Sequence, residues 1–322
     1  MLNDVLNDKR CFKLVCGAGN EDATEVEKLV TLYSKAGCNF FDLCAKPEIV
    51  TAAKHGIERS GITKDRYLCC SVGIKGDPHV SKAFINQDLC VKCGKCEKVC
   101  LEHSIAENPI SYKVKRIKCI GCGNCVNICP KKAITLESEY TDLKKVLPPI
   151  IDMGIDCVEL HIIGDNEAEI DEKWNDINNI YDGMLSICID RLKLGNSAII
   201  KRLNKMLKNR EPYTTIIQAD GAPMSGASDD YKTTLQAVAT GEIIQNENLP
   251  VYMLLSGGTN SKTTELAKLC GVCANGVAIG TYARKIVREY IANDNFLQDT
   301  KTFDKALKIA KNLVDTSLKN LE

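Results

Sequence analysis

The sequence predicts an α/β protein, a (β/α)8 TIM-type barrel, and two observations carry the prediction. Short stretches rich in β-branched and aromatic residues alternate with longer amphipathic ones along the 322 residues, the pattern of βα units and a parallel sheet. Eight such stretches occur, and strict alternation with helices favours a closed barrel over the alternative, a doubly wound open sheet. A third observation adds to the architecture: the alternation breaks once, over residues 84–137, where cysteines crowd.

Phe12–Cys16 reads as the first strand, ending in Gly17-Ala18-Gly19-Asn20, and residues 22–36 read as its helix, with Val26, Leu29, Val30 and Tyr33 on one face. Asn39–Leu43 is the second strand, followed by a helix over residues 47–60, and Tyr67–Val72 is the third. After the interruption a helix starts near Thr141. Strands then follow at Cys157–Ile163, Met184–Ile189, Thr214–Gln218, Val251–Leu255 and Gly276–Ile279, each with a helical pattern behind it. The chain so divides into residues 1–83, the first part of the barrel; 84–137, the insert; and 138–322, the remainder. With 44% hydrophobic residues, this length buries one barrel-sized core and leaves room for a small module.

The insert carries C-x2-C-x2-C-x3-C twice, in the half-repeats DLCVKCGKCEKVC and IKCIGCGNCVNIC. Three thiolates on one tight loop cap three corners of an iron-sulfur cube, and the fourth cysteine of each run is placed to reach the other cube. A bacterial-ferredoxin-like module with two [4Fe-4S] clusters is expected, the first on Cys90, Cys93, Cys96 and Cys129, the second on Cys119, Cys122, Cys125 and Cys100. Structural zinc is the other reading, but its cysteine pairs usually stand a dozen or more residues apart. One departure is visible: Pro130 follows the last cysteine, while Leu101 stands where the first run's proline would be. Because the loop after a barrel strand lies on the C-terminal face, the insert would set the clusters beside the mouth, where such barrels keep their active sites.

Composition excludes several classes. Formal net charge is zero and aromatic residues are 5%, so neither a basic footprint nor a base-stacking surface for nucleic acid exists. The opening MLNDVLNDKR is charged, and no stretch reaches about eighteen consecutive apolar residues, so no membrane association and a soluble, cytoplasmic protein are expected. Eighteen cysteines argue for a reducing compartment, and the ten outside the two runs suit an anaerobe. Of the ten, Cys16, Cys44 and Cys70 fall at the C-terminal ends of the first three strands, as a further metal or redox site or, more commonly for lone cysteines, as small buried hydrophobes. Asp42, Lys75, Asp190, Gln218 and Asp220, at other strand ends, are candidates for handling substrate or protons, against an equal expectation of structural use; His55 and His161 receive no role.

Two loops invite a phosphate. Ser256, Gly257, Gly258 and Thr259 follow the seventh strand and Gly280 and Thr281 the eighth, the positions at which barrels build phosphate sites from backbone N–H groups. Flavin mononucleotide or another phosphate-bearing ligand would fit; the plain alternative is tight βα turns with Thr281 capping its helix. Between Cys90 and Lys132, nine basic residues, among them Lys92, Lys95, Lys98, Lys113, Lys115, Arg116 and Lys118, stand against Glu97, Glu102 and Glu107. They form either a docking face for an acidic electron carrier such as ferredoxin or flavodoxin, or an ordinary solvated surface.

The segments GAGNED and FFDLCAKPEIVTAAKHGI, with the eight cysteines of the two runs, resemble the light-dependent period protein family of cyanobacteria and its relatives in anaerobes, most specifically over residues 11–130. The resemblance implies an iron-sulfur protein linked to cellular redox state, a role tied in cyanobacteria to redox input to the circadian clock. Two functions are weighed: an oxidoreductase whose module feeds electrons to a small-molecule substrate or cofactor at the barrel mouth, and a redox-sensing or electron-transfer protein whose barrel is a platform for a partner.

Overall fold

In the computed structural model the described residues are 1–321 other than 18, 76, 78–79, 139–141, 163–165, 192–193 and 223–226. Ala18, Thr141 and Ile163, which bear on the expected first loop, the helix after the insert and the fourth strand, lie outside them. The chain opens with α1 (Leu2–Asn7), β1 (Cys11–Val15), α2 (Ala23–Ala36), β2 (Phe40–Cys44), α3 (Pro47–Ser60) and β3 (Tyr67–Gly73). The insert follows as β4 (Ser81–Ile85), α4 (Lys95–Lys98), β5 (Ile105–Glu107), β6 (Tyr112–Val114), α5 (Asn124–Ile128) and β7 (Ile134–Ser138). The barrel resumes with α6 (Leu143–Asp152), β8 (Cys157–His161), α7 (Glu167–Ile180), β9 (Met184–Asp190), α8 (Asn196–Leu207) and β10 (Thr215–Asp220). It ends with α9 (Tyr231–Asn246), β11 (Tyr252–Ser256), α10 (Thr263–Leu269), β12 (Gly276–Ile279), α11 (Thr281–Ile291) and α12 (Thr300–Lys319).

Eight parallel strands close in the order β1-β12-β11-β10-β9-β8-β3-β2, so the fold is the expected (β/α)8 barrel and not an open sheet. The strands are buried on both faces and therefore read as nearly continuous apolar runs, which is why the sequence locates them so well. Helices obey local rules: α2 starts where Asp22 accepts from the Glu25 N–H at 3.2 Å and stops at Gly37, whose φ of 103° suits a residue without a Cβ. The barrel closes without the insert, since β3 pairs β8 directly from Cys69↔Cys157 to Gly73↔His161. The insert stands on an antiparallel ladder of β4 and β7 running from Ser81↔Ser138 to Ile85↔Ile134, three residues earlier than composition marks its start.

The interior of the barrel is layered. At the N-terminal end Cys11, Phe40, Cys69, Cys157, Met184, Ile216, Tyr252 and Leu254 pack on Leu2, Val5 and Leu6 of α1. The opening segment, read from its charge alone, is thus a one-face amphipathic plug with apolar residues at i, i+3 and i+4. Above that layer the interior turns polar. Cross-strand register sets Ser71, Glu159 and Ser186 in one row, His161, Cys188 and Gln218 in the next, and Asp190, Asp220 and Ser256 nearest the mouth.

Candidate functional site

The two cysteine runs fold into matching loops. Gly94 (φ 71°) and Gly123 (φ 76°) turn the chain through the left-handed region into the short helices α4 and α5, so that three sulfurs of each run face one hollow. Cys90, Cys93, Cys96 and Cys129 line a cavity of about 360 Å3, and Cys100, Cys119, Cys122 and Cys125 line another of about 500 Å3. Each cavity therefore holds three cysteines of one run and the fourth of the other. Backbone N–H groups aim at sulfur: Ala83 at Cys119 (3.4 Å), Ser104 at Cys100 (3.3 Å) and Ala133 at Cys129 (3.3 Å). Leu101 in place of a proline leaves this intact, because Ser104 and Ala133 stand at the same offset from their cysteines, and His103 and Lys132 share the same positive φ one residue earlier. Burial pushes the Cys125 thiol up to about 12, a state that bound iron would reverse by taking the thiolate. Four thiols, apolar walls and N–H donors to sulfur fit an iron-sulfur cluster in each hollow.

The second hollow is fastened to the barrel. Thr281, the first residue of α11, lines it together with Cys100, Cys119, Cys122 and Cys125. Glu102, two residues after Cys100, pairs with Arg284 at 2.6 Å and Arg288 at 2.9 Å, both on α11. Burial alone would push the Glu102 carboxyl up, but the two guanidinium groups outweigh it and hold it below the usual range. Lys82 of β4, buried, donates to the Cys119 carbonyl at 2.8 Å and pairs with Glu21 of the β1–α2 loop at 3.0 Å. The Glu21 N–H in turn donates to the Ile117 carbonyl at 2.7 Å. Lys82 also lines a cleft of about 1090 Å3 at the C-terminal ends of β2 and β3, with Cys44, Lys46, Ser71 and Lys145.

Below the cleft the barrel holds charges that the sequence reading passed over. Lys13, fully buried, pairs with Glu159 at 2.7 Å and lies 3.9 Å from Asp42. Glu159 also accepts from Ser186 at 2.6 Å, Ser71 at 3.2 Å and Gln218, and meets His161 Nε2 at 2.9 Å. Burial would raise the Glu159 carboxyl, but Lys13 and His161 hold it far below the usual range. Burial likewise pulls the His161 imidazole down, and is outweighed by Glu159 and Asp77, which lift it to about 9. Burial and the neighbouring Asp190 push Asp220 up to about 6. The Lys13 ammonium is raised, not lowered, by Asp42 and Glu159, so at neutral pH it is a cation and not an amine nucleophile.

Of the residues singled out at strand ends, Asp42, Asp190, Gln218 and Asp220 join this array, whereas Lys75 is exposed and its backbone N–H donates to Glu169 at 2.8 Å. Lys13 and Glu159 went unmarked, His161 was given no role and Cys188 only a weaker claim than the cysteines at strand ends; for the charges, a lone ionisable residue inside an apolar strand, as in FKLV and VELH, was the available signal. Cys16 and Cys70 lie in the aliphatic core and Cys44 at the cleft, and they do not gather as a ligand set. In the loops expected to hold phosphate, Thr259 Oγ1 donates to the Ala278 carbonyl at 2.5 Å, and a Cβ on Gly257 would strike the Asp220 carboxylate. Ser256 and Gly258 are buried beside them, and Gly280 packs against Val15 while Thr281 turns to the second cysteine hollow.

Comparison with known proteins gives matches in both parts of the chain. Residues 149–316 match the family described as the light dependent period A C-terminal domain, and residues 82–130 match a 4Fe-4S dicluster domain. The chain is 30% identical over 293 residues to "Light dependent period A" of Synechococcus elongatus, covering 87% of this chain and 82% of that protein. Among solved structures, a truncated 3-deoxy-D-arabino-heptulosonate 7-phosphate synthase from Thermotoga maritima superposes with a TM-score of 0.45 at 11% identity, over 95% of this chain and 86% of that one. A ligand-free tryptophan synthase from M. tuberculosis gives 0.47 at 10% identity, over 98% of each chain.

Proposed function

This chain belongs to the light dependent period A family and is an iron-sulfur redox and electron-transfer protein, and from that premise we propose an oxidoreductase that takes electrons singly at the outer cysteine set and uses them on a small-molecule substrate in the cleft at the barrel mouth. When bound, a [4Fe-4S] cluster on each cysteine set supplies one-electron transfer. The set Cys90, Cys93, Cys96 and Cys129 suits entry: Cys93 is exposed, Leu89 and Val91 stand 50% and 57% exposed beside it, and Lys95 and Lys131 line the same hollow. An acidic carrier of the ferredoxin or flavodoxin kind has there an apolar patch ringed by positive charge.

The observation that carries the reading is Lys82. One buried ammonium touches the backbone of Cys119 in the second set, salt-bridges Glu21 and lines the cleft, so the second set and the cleft share a wall. Lys46, Lys82 and Lys145 line the cleft against Glu21 and Glu48, with Glu21 paired to Lys46 at 2.7 Å and Lys82 at 3.0 Å, and the one surplus positive charge favours a substrate bearing negative charge. Ser71 lines it too and bonds Asp42 and Glu159, which links the cleft to the buried charged rows below.

The test compares two variants in anaerobically prepared protein. Cys129→Ala should spoil the first set and Cys122→Ala the second. With the first set lost, reduction of the second by a ferredoxin should slow at least tenfold while dithionite still reduces it. If ferredoxin reduces the Cys129→Ala protein at the unaltered rate, electrons do not enter at the outer set and the proposed order is wrong.

A further inference from the structure

The row of the barrel that holds His161, Cys188 and Gln218 brings a nitrogen, a sulfur and an oxygen donor onto three consecutive strands at one level, paired in register as His161↔Cys188 and Cys188↔Gln218. Glu159, two residues below His161 on the same strand, supplies a carboxylate, and donor atoms of Glu159, His161 and Cys188 all lie within 4.8 Å of one another. Tetrahedral zinc, with bonds of about 2.0–2.3 Å, asks for donors somewhat closer than this, a contraction that side-chain torsions of these three residues can deliver. We infer that the barrel binds one divalent cation of the zinc class, zinc or ferrous iron, through His161 Nε2, Cys188 Sγ and a Glu159 oxygen. This site goes beyond the electron route and stands without it.

Three features support the assignment. Gln218 Oε1 is buried with no hydrogen-bond partner among the described residues, while the same amide's nitrogen donates to Glu159, so an unsatisfied oxygen stands one amide group away from the Glu159 carboxylate, a candidate for the fourth donor. A buried acceptor left bare is costly, and a cation removes the cost. The surroundings have the arrangement of an outer shell: Asp77 lies 3.9 Å from His161 Nδ1, the nitrogen facing away from Glu159, and Lys13 and Ser186 hold the other Glu159 oxygen at 2.7 and 2.6 Å. At 3.9 Å Asp77 acts on the imidazole as a nearby charge, on the side where a ligating imidazole usually has its carboxylate partner. The donor mixture selects against calcium and magnesium, which take oxygen alone, and for a borderline metal.

The experiment uses cluster-loaded protein, incubated anaerobically with zinc and desalted, with iron, sulfide and zinc counted and the zinc edge read by X-ray absorption. About one zinc per chain is expected, with cluster iron and sulfide unchanged, one sulfur at about 2.3 Å and nitrogen or oxygen at about 2.0–2.1 Å. Cys188→Ser should remove the sulfur shell, and Gln218→Leu, which keeps the volume, should weaken zinc retention by about tenfold. Should Cys188→Ser fail to fold, the absorption spectrum of the unaltered protein decides alone. No zinc retained, or zinc held by four sulfurs at the expense of cluster iron, overturns the inference.

Discussion

Asp220 shows what one carboxyl costs when a barrel encloses it. Its value moves from the ordinary 3.8 to about 6 because burial and Asp190 disfavour the charged form. A carboxyl raised on folding adds stability that is fully present below about 4 and is lost as pH rises through about 6, so at neutral pH the ionised group opposes folding by about 3 kcal/mol. Asp220→Asn removes the charge and keeps the shape. The variant should therefore gain about 2–3 kcal/mol over the unaltered protein at pH 7.5 in urea unfolding and nothing at pH 4. An equal gain at both values would mean that Asp220 is not raised. Glu159, two strands away, behaves in the opposite sense, since the Lys13 pair favours its ionised form and that contribution is present above the carboxylate range.

At the scale of elements, the decisive contact is the clamp between the insert and α11. Glu102 and Arg284 are nearly shut from water, 7% and 3% exposed, so neither can trade its partner for solvent. Removing one member of such a buried pair leaves the other charge uncompensated, at a cost of roughly 3 kcal/mol or more. Glu102→Gln should thus raise the population of undocked insert roughly a hundredfold, read as faster limited proteolysis within residues 81–138 of cluster-loaded protein. Unaltered cleavage would show that Lys82, paired with Glu21, and Lys118, which pairs with Asp22 at 3.3 Å and Glu25 at 3.4 Å, hold the insert without help. Because the carboxyl is held low, the clamp persists at neutral pH and weakens as pH falls below the ordinary carboxylate range.

For the whole molecule, the insert is an addition to a barrel that closes on its own. Ser81 and Ser138 face each other across the ladder at its base, and β3 reaches β8 without it. Replacing residues 82–137 by a short glycine-serine turn should leave a cooperatively unfolding barrel by circular dichroism, with no iron-sulfur cluster and no acid-labile sulfide. A product without a cooperative transition would show that the clamp and the iron-sulfur loops are part of the barrel's own stability. The described residues contain no helix long and apolar enough to cross a membrane.

What the sequence determined by itself is whatever depends on near neighbours along the chain. Strand positions followed from apolar runs, because a strand covered on both faces cannot hide its composition, and the cysteine loops followed from spacing, because three ligands of one cube come from one turn of chain. Tertiary structure decided everything that joins distant segments. Lys13 and Glu159 meet across 146 positions, and no local pattern in FKLV or VELH announces the partner that makes a buried charge tolerable. The glycines at 257 and 258 signalled a close approach, yet whether a phosphate or the protein's own Asp220 makes it depends on where β10 ends relative to β11. Likewise the row of His161, Cys188 and Gln218 exists only through the register of three strands, and register is a property of the closed sheet, set by packing around the whole barrel.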